Sequence, residues 1–230
     1  MGKLYGVGVG PGDPELMTLK AVRLIKECDV IVIPASGEVV NAAYTIASGA
    51  IPEIKEKSLV EVDMPMTRNK EQLEKSHNDA AEQIRLLLDE GKIVVFLTLG
   101  DPSIYSTYCY VHERIKAMGY LPEIIPGIPS FCAASARLGD SLTEASEALH
   151  IIPASYEGRE TAMELAGTKV LMKSGKSIGG IKEQLLKDPT RWEVKMVEKC
   201  GMEGERIFET AEEIPEISSY FSIVIVKDKQ

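Results

Sequence analysis

The sequence is short of the residues that most often mark a reactive site. It holds four cysteines, three histidines and one tryptophan in 230 residues. Cys28, Cys109, Cys132 and Cys200 lie far apart with no CxxC spacing, which fits free thiols rather than a disulfide frame or a zinc site. His77, His112 and His150 are equally isolated, with no HExxH and no cysteine or carboxylate at ligand spacing. No protein-bound metal is expected. No apolar run approaches the roughly 18 residues that cross a bilayer. The N-terminus lacks a cleavage pattern, and Gly6 stands where a myristoylation signal needs Ser or Thr. The expected location is cytoplasmic. Charge of one sign is nowhere concentrated: 35 acidic and 26 basic residues leave a net charge of -9 without a block of either. Nothing there suggests a nucleic-acid or membrane surface.

What is present is enough apolar material for one large domain or two small ones, with 44% of residues hydrophobic and 27% charged. Short β-branched runs alternate with helical patterns: "KLYGVGV", "LMTLKAVRLIKE", "DVIVIP", "NAAYTIASGAI", "SLVEVDMPM", a polar-faced helix over residues 69–90, "KIVVFLTLG", a helix over 103–118 and "PEIIP". That rhythm predicts βαβ units and a parallel sheet, with "KIVVFL" at its centre. At "IPGIPS" two prolines and a glycine break both helix and strand. The expected domains are therefore 1–126 and 127–230. The second has "SFCAASARLG" as a helix, another helix over 177–187, and strands at "ALHIIPA", "GTKVLMK", "WEVKMVE" and "YFSIVIV". Fewer helices per strand suggest an α/β domain with a mixed sheet.

The stretch "GVGVGPGDPE" resembles a dinucleotide loop but fails as one. The fingerprint needs glycine at its first, third and sixth positions. Starting from Gly6, Gly8 or Gly10, the sixth residue is Pro11, Asp13 or Glu15. Pro11 removes an N–H donor, and Asp13 adds negative charge where a phosphate would sit. Asp13 also reads as an N-cap, with Pro14 opening the helix "PELMTLKAVRLIKE". Capping does not explain why Gly12-Asp13-Pro14 recurs as Gly100-Asp101-Pro102, each after a strand. Two such strand ends fit a crevice at the carboxyl edge of a parallel sheet. A ligand that tolerates carboxylates, needs close backbone approach and carries no phosphate meets the requirement, and S-adenosylmethionine is one.

Two other motifs are decoys. "GKSIG", residues 175–179, has the GxSxG form, but no histidine follows His150 to complete a hydrolase triad. For a P-loop, the glycine required five positions before Gly175 is Val170.

"LYGVGVGPGDPELMTLKAVRLIKECDVIVIP", "FLTLGDPSIYSTYCYVHERI" and "IIPGIPSFCAASARLG" resemble the tetrapyrrole (corrin and porphyrin) methyltransferases, nearly end to end. Within that family, "PMTRNKEQLEKSHNDAAEQI", "LTLGDPSIYSTY", "LHIIPASYEG" and "FSIVIVK" resemble the enzymes that methylate C20 of precorrin-2 or its cobalt form in cobalamin synthesis. The resemblance implies two α/β domains, a homodimer, and S-adenosylmethionine in a cleft between the domains. It places Pro11 against the cofactor, Gly100, Asp101 and Ile104 in a second contact loop, and Pro129 and Ser130 in a third. Lys173 and Cys200 or Gly201 align with further cofactor contacts. The loop holding Gly12 and Asp13 is expected on the tetrapyrrole side. Uroporphyrinogen methyltransferases of the family carry an acidic residue where this second strand ends in Ile33 and Pro34. The missing base fits a substrate that is already nucleophilic.

No residue is assigned to catalysis outright. Tyr105 and Tyr108 are candidates for substrate contact or proton removal, with core packing as the competing role. Arg68, Lys70 and Arg137 are candidates for a basic rim that holds substrate carboxylates. Three alternatives stand beside C20 methylation: a sibling methyltransferase acting at another ring position, an enzyme like diphthine synthase acting on a protein, and a tetrapyrrole or cofactor carrier without turnover.

Overall fold

A computed structural model describes residues 2–35, 39–155 and 158–229. Residue contacts divide the chain into two compact units, Met1–Pro129 and Ser130–Gln230.

The first unit holds five parallel strands, β1 (Lys3–Gly8), β2 (Val30–Pro34), β3 (Ser58–Val62), β4 (Ile93–Thr98) and β5 (Glu123–Ile125), in the order β3-β2-β4-β1-β5. The helices are α1 (Leu19–Glu27), α2 (Val39–Ala50), α3 (Lys70–Asp89) and α4 (Tyr108–Ala117). Alternate strand residues Leu4, Val30, Val32, Val94 and Phe96 form one core cluster with Ala80, Ala81, Ile84 and Leu88 of α3 and with Tyr108, Val111 and Ile115 of α4. Helices α1 and α2 touch β4 and β2 but none of their described side chains belongs to that cluster, so they cover the opposite face. Right-handed crossovers require this division, because the chain steps toward β3 through α1 and α2 and returns toward β5 through α3 and α4.

Local chemistry accounts for the helix ends. Asn69 caps α3 by accepting from the N–H groups of Glu71 and Gln72. The Lys57 amine closes α1 from outside, donating to the carbonyls of Lys26 and Cys28 at 2.8 and 2.7 Å. Two expected helices are shorter than their patterns. "PELMTLKAVRLIKE" splits into a 3-10 turn, Pro14–Leu16, and α1, because Thr18 caps α1 itself while Met17 runs extended into the core. The helix expected from residue 103 starts at Tyr108, because the preceding segment folds around Asp101 and turns through Tyr105 at φ 51°.

The second unit is a mixed sheet in the order β6-β7-β10-β8-β9, formed by β6 (Leu149–Pro153), β7 (Thr168–Met172), β8 (Trp192–Glu198), β9 (Arg206–Phe208) and β10 (Ser222–Asp228). The short strand β9 has no counterpart in the sequence reading. Helices α5 (Ser130–Leu138), α6 (Arg159–Met163) and α7 (Ile178–Leu186) accompany it. Ile178, Ile181 and Leu185 of α7 pack on Leu171, Trp192, Val194, Met196, Val224 and Val226. Helix α5 touches β8 and β10 but stays outside that cluster, on the other face. Fully buried Lys169 pairs with Asp228 at 2.5 Å, so its charge is neutralised inside the sheet.

Candidate active site

Because all five strands of the first unit are parallel, every loop that follows a strand leaves at one edge. The chain turns toward β3 after β2 and toward β5 after the neighbouring β4, which makes these two strand ends the topological switch point where open α/β sheets bind ligands. Pro11, Gly12, Asp13, Arg68, Gly100, Asp101 and Ile104 all belong to loops on that edge, and Lys70 opens the helix just beyond.

The two Gly-Asp-Pro loops are joined to each other. Past the strand ends, the Val9 N–H donates to the Thr98 carbonyl at 3.0 Å, and Gly10 and Gly100 exchange hydrogen bonds of 3.3 and 2.8 Å in an antiparallel bridge. The chain after β5 is locked against the same point. A Cβ on Gly8 would lie 2.5 Å from the Gly100 oxygen and 2.7 Å from the Gly127 nitrogen, and one on Gly127 would collide with the same oxygen. Only glycine permits three backbones to meet this closely.

Asp101 completes the joint. Its Oδ1 accepts from the Ser103 N–H at 2.8 Å and from the Ser103 hydroxyl, and its Oδ2 accepts from the Gly127 N–H at 2.9 Å. The buried carboxylate thus holds the loops. Asp13 has a lighter role of the same kind, accepting from the Glu15 N–H at 2.9 Å at the start of the 3-10 turn. Pro11 and Gly12 beside it are buried.

Of the two candidate tyrosines, Tyr105 is exposed and held at φ 51°, a strained conformation for an aromatic residue. Tyr108 is fully buried, its ring filling the space a Cβ on Gly6 would need and lying 5.5 Å from Phe96. Its hydroxyl donates to the Glu123 carbonyl at 3.1 Å, and burial pushes the phenol well above its usual range. This is a packing position. Thr98 is also buried, and its hydroxyl has no hydrogen-bond partner among the described residues. Arg68 and Lys70 are exposed.

In the second unit β7 and β8 are each antiparallel to β10, so both run the same way and end at one edge. Lys173 follows β7 at φ 56°, and burial lowers its amine below the ordinary lysine value. After β8 the chain turns through Lys199 at φ 54° and Gly201 at φ 71°. Cys200 between them is buried, which pushes its thiol up to about 11 and makes it a poor nucleophile. Pro129 ends the first unit and Ser130 begins α5 in the second. Arg137, near the end of α5, pairs with Glu205 at 2.5 Å.

Thr98 and Gly127 in the loops of the first unit, and Glu198 and Glu205 beside the turn after β8 in the second, are residues that sequence reasoning passed over. Gly127 lies in "IPGIPS", where the sequence singled out Pro129 and Ser130 but not the glycine, and neither glutamate carries a local signature. Among the described residues no cluster of His, Cys, Asp and Glu is arranged to hold a metal, and no helix is long and apolar enough to cross a membrane.

Residues 3–215 match the family described as Tetrapyrrole (Corrin/Porphyrin) Methylases. The chain is 33% identical over 229 residues to the probable cobalt-precorrin-2 C(20)-methyltransferase of Methanocaldococcus jannaschii, covering 98% of this chain and 96% of that one. It is 30% identical over 234 residues to the precorrin-2 C(20)-methyltransferase of a Sinorhizobium species, covering 98% and 95%. Among solved structures it resembles the uroporphyrin-III C-methyltransferase of Thermus thermophilus complexed with S-adenyl homocysteine, with a TM-score of 0.71 at 22% identity over 98% of this chain and 97% of that one.

Proposed function

The chain belongs to the tetrapyrrole (corrin/porphyrin) methylases, and we propose that it methylates C20 of precorrin-2 or its cobalt form in cobalamin biosynthesis, with S-adenosylmethionine as donor. The observation that carries the C20 assignment is the near full-length likeness to C20-methyltransferases from two organisms.

The residues fit this donor, which is cationic and free of phosphate. Asp13 gives the first loop a carboxylate, and Pro11 withholds an N–H, where a phosphate would need donors. Thr98 offers a buried hydroxyl with no partner among the described residues at the end of β4. Pro11, Gly100, Asp101, Ile104, Pro129, Ser130, Lys173, Cys200 and Gly201 would hold the donor. When bound, it would supply a sulfonium-activated methyl for in-line transfer to C20 as the S–CH3 bond breaks, with S-adenosylhomocysteine as the leaving group and the C20 proton passing to water.

The protein's part is orientation. The Gly10–Gly100 bridge and the Asp101–Gly127 hydrogen bond fix the carboxyl-edge loops before either ligand arrives. Holding a donor and an acceptor in reacting geometry contributes about 7–11 kcal/mol in favourable cases. Strand β2 ends at the switch point in Ile33 and Pro34, which carry no base. An electron-rich substrate carbon needs none to attack. Arg68 and Lys70, exposed on the same edge, would take substrate carboxylates.

The test is product analysis with methyl-labelled S-adenosylmethionine and either precorrin-2 or cobalt-factor II. Mass spectrometry and NMR should locate one new methyl at C20. A methyl at another ring carbon would make the chain a sibling enzyme. Transfer to a protein instead would support a diphthine synthase-like activity, and tight binding of both ligands without transfer would make it a carrier.

A further inference from the structure

The turn after β8 is held from both ends. On its near side, Glu198 is almost fully buried, and its carboxylate accepts from the Ser219 N–H at 2.6 Å, the Ser218 hydroxyl at 2.9 Å and the Arg206 Nε at 2.7 Å. The Lys199 N–H donates to the Phe221 carbonyl at 2.8 Å, and the Met202 N–H donates back to the Lys199 carbonyl at 2.8 Å. On the far side, Glu205 Oε2 accepts from the Gly201 N–H at 2.8 Å, and its Oε1 accepts from Arg137 Nε at 2.5 Å. Two residues with left-handed backbone flank Cys200 within this frame. Lys199 gains nothing from such a conformation by itself, and strained backbone persists where the surroundings over-determine it, as they do at ligand clamps.

Arg137 thus has a partner that explains its position. Its guanidinium meets a carboxylate whose other oxygen grips the turn, so the chain of contacts runs from α5 through Glu205 to the Gly201 amide. Removing the guanidinium would leave Glu205 half-buried with one oxygen lacking this donor, free to rotate away from Gly201. We propose that Arg137 serves the cofactor rather than the tetrapyrrole carboxylates: through Glu205 it fixes the Cys200–Gly201 backbone for S-adenosylmethionine, as a positioning residue. The inference rests on the reading that this turn contacts the cofactor.

The test separates the two ligands. S-adenosylhomocysteine binding to the full chain is measured by calorimetry, and KM for the tetrapyrrole is measured separately, for Arg137→Met, Arg137→Lys, Glu205→Gln and Gly201→Val. Arg137→Met and Glu205→Gln should weaken S-adenosylhomocysteine binding about tenfold while tetrapyrrole KM stays within about twofold of the wild type. Arg137→Lys, which can still pair with Glu205, should recover much of the loss. Unchanged binding in Arg137→Met overturns the proposal, whether or not tetrapyrrole KM rises. A loss on both ligands that lysine does not rescue also overturns it, as general damage. If Gly201→Val binds normally, the placement of the cofactor at this turn fails as well. If it binds poorly while the Arg137 variants bind normally, only the Arg137–Glu205 link fails.

Discussion

Asp101 Oδ2 accepts a hydrogen bond from the Gly127 N–H at 2.9 Å, so a carboxylate at the end of β4 holds the chain leaving β5, 26 residues later. Aspartate in a glycine-rich loop invites a ligand-binding reading. Here the side chain joins one loop to another, and the Gly8–Gly100–Gly127 contact beneath it makes the joint tight.

Gly127→Ala should disrupt that joint, because its Cβ would collide with a backbone oxygen rather than with a movable side chain. A loss of about 1–3 kcal/mol or more is expected in urea unfolding. Wild-type stability would show that the loops separate easily.

Gly180→Ala is the contrasting case. Gly180 lies in α7, is exposed and has open space where the Cβ would go. Stability should rise by about 0.5–1 kcal/mol on the same assay, since alanine is the better helix former. A fall would mean that the space is filled in solution.

Thr98→Val replaces an unpartnered buried hydroxyl with a methyl of similar size. The ligand-free protein should become more stable, by about 1 kcal/mol. If the hydroxyl serves the bound donor, S-adenosylhomocysteine affinity should fall at the same time, and calorimetry reads that directly. Lower stability without ligand would mean that the hydroxyl already has a partner.

Tyr108→Phe keeps the ring on Gly6 and loses the bond to the Glu123 carbonyl. About 0.5–1.5 kcal/mol of stability should go, with kcat unchanged. A large fall in kcat at wild-type stability would instead make Tyr108 a proton-transfer group.

Glu198 should make stability depend on acid. Burial raises its carboxyl, but hydrogen bonds from Ser219, Arg206 and Ser218 outweigh that and hold it at about 2, below the ordinary 4.5. A carboxyl depressed on folding stabilises the protein above its unfolded value, and that contribution is lost as pH falls from 4.5 toward 2. At neutral pH it amounts to roughly 3 kcal/mol. Glu198→Gln should therefore be less stable at pH 7, with the gap to wild type narrowing below about pH 4.5 in urea titrations. A constant gap would exclude the depressed carboxyl as its cause.

Much of the architecture was legible because its causes are local. Short apolar runs placed β1, β2 and β4, and the alternation of strands with helices before "IPGIPS", against fewer helices per strand after it, anticipated a parallel sheet followed by a mixed one. Helix starts were less legible where two caps competed, as at Asp13 and Thr18, or where a distant partner bent the chain, as between Asp101 and Tyr108.

The division has a physical basis. The sequence by itself determined the parallel sheet, the mixed sheet and the family, since each depends on patterns of adjacent residues. Only the tertiary structure decided what the polar side chains do. Asp101 became a strut, Tyr108 a core residue and Arg137 the partner of Glu205, because hydrogen bonding and burial depend on neighbours that are 15 to 68 positions away along the chain.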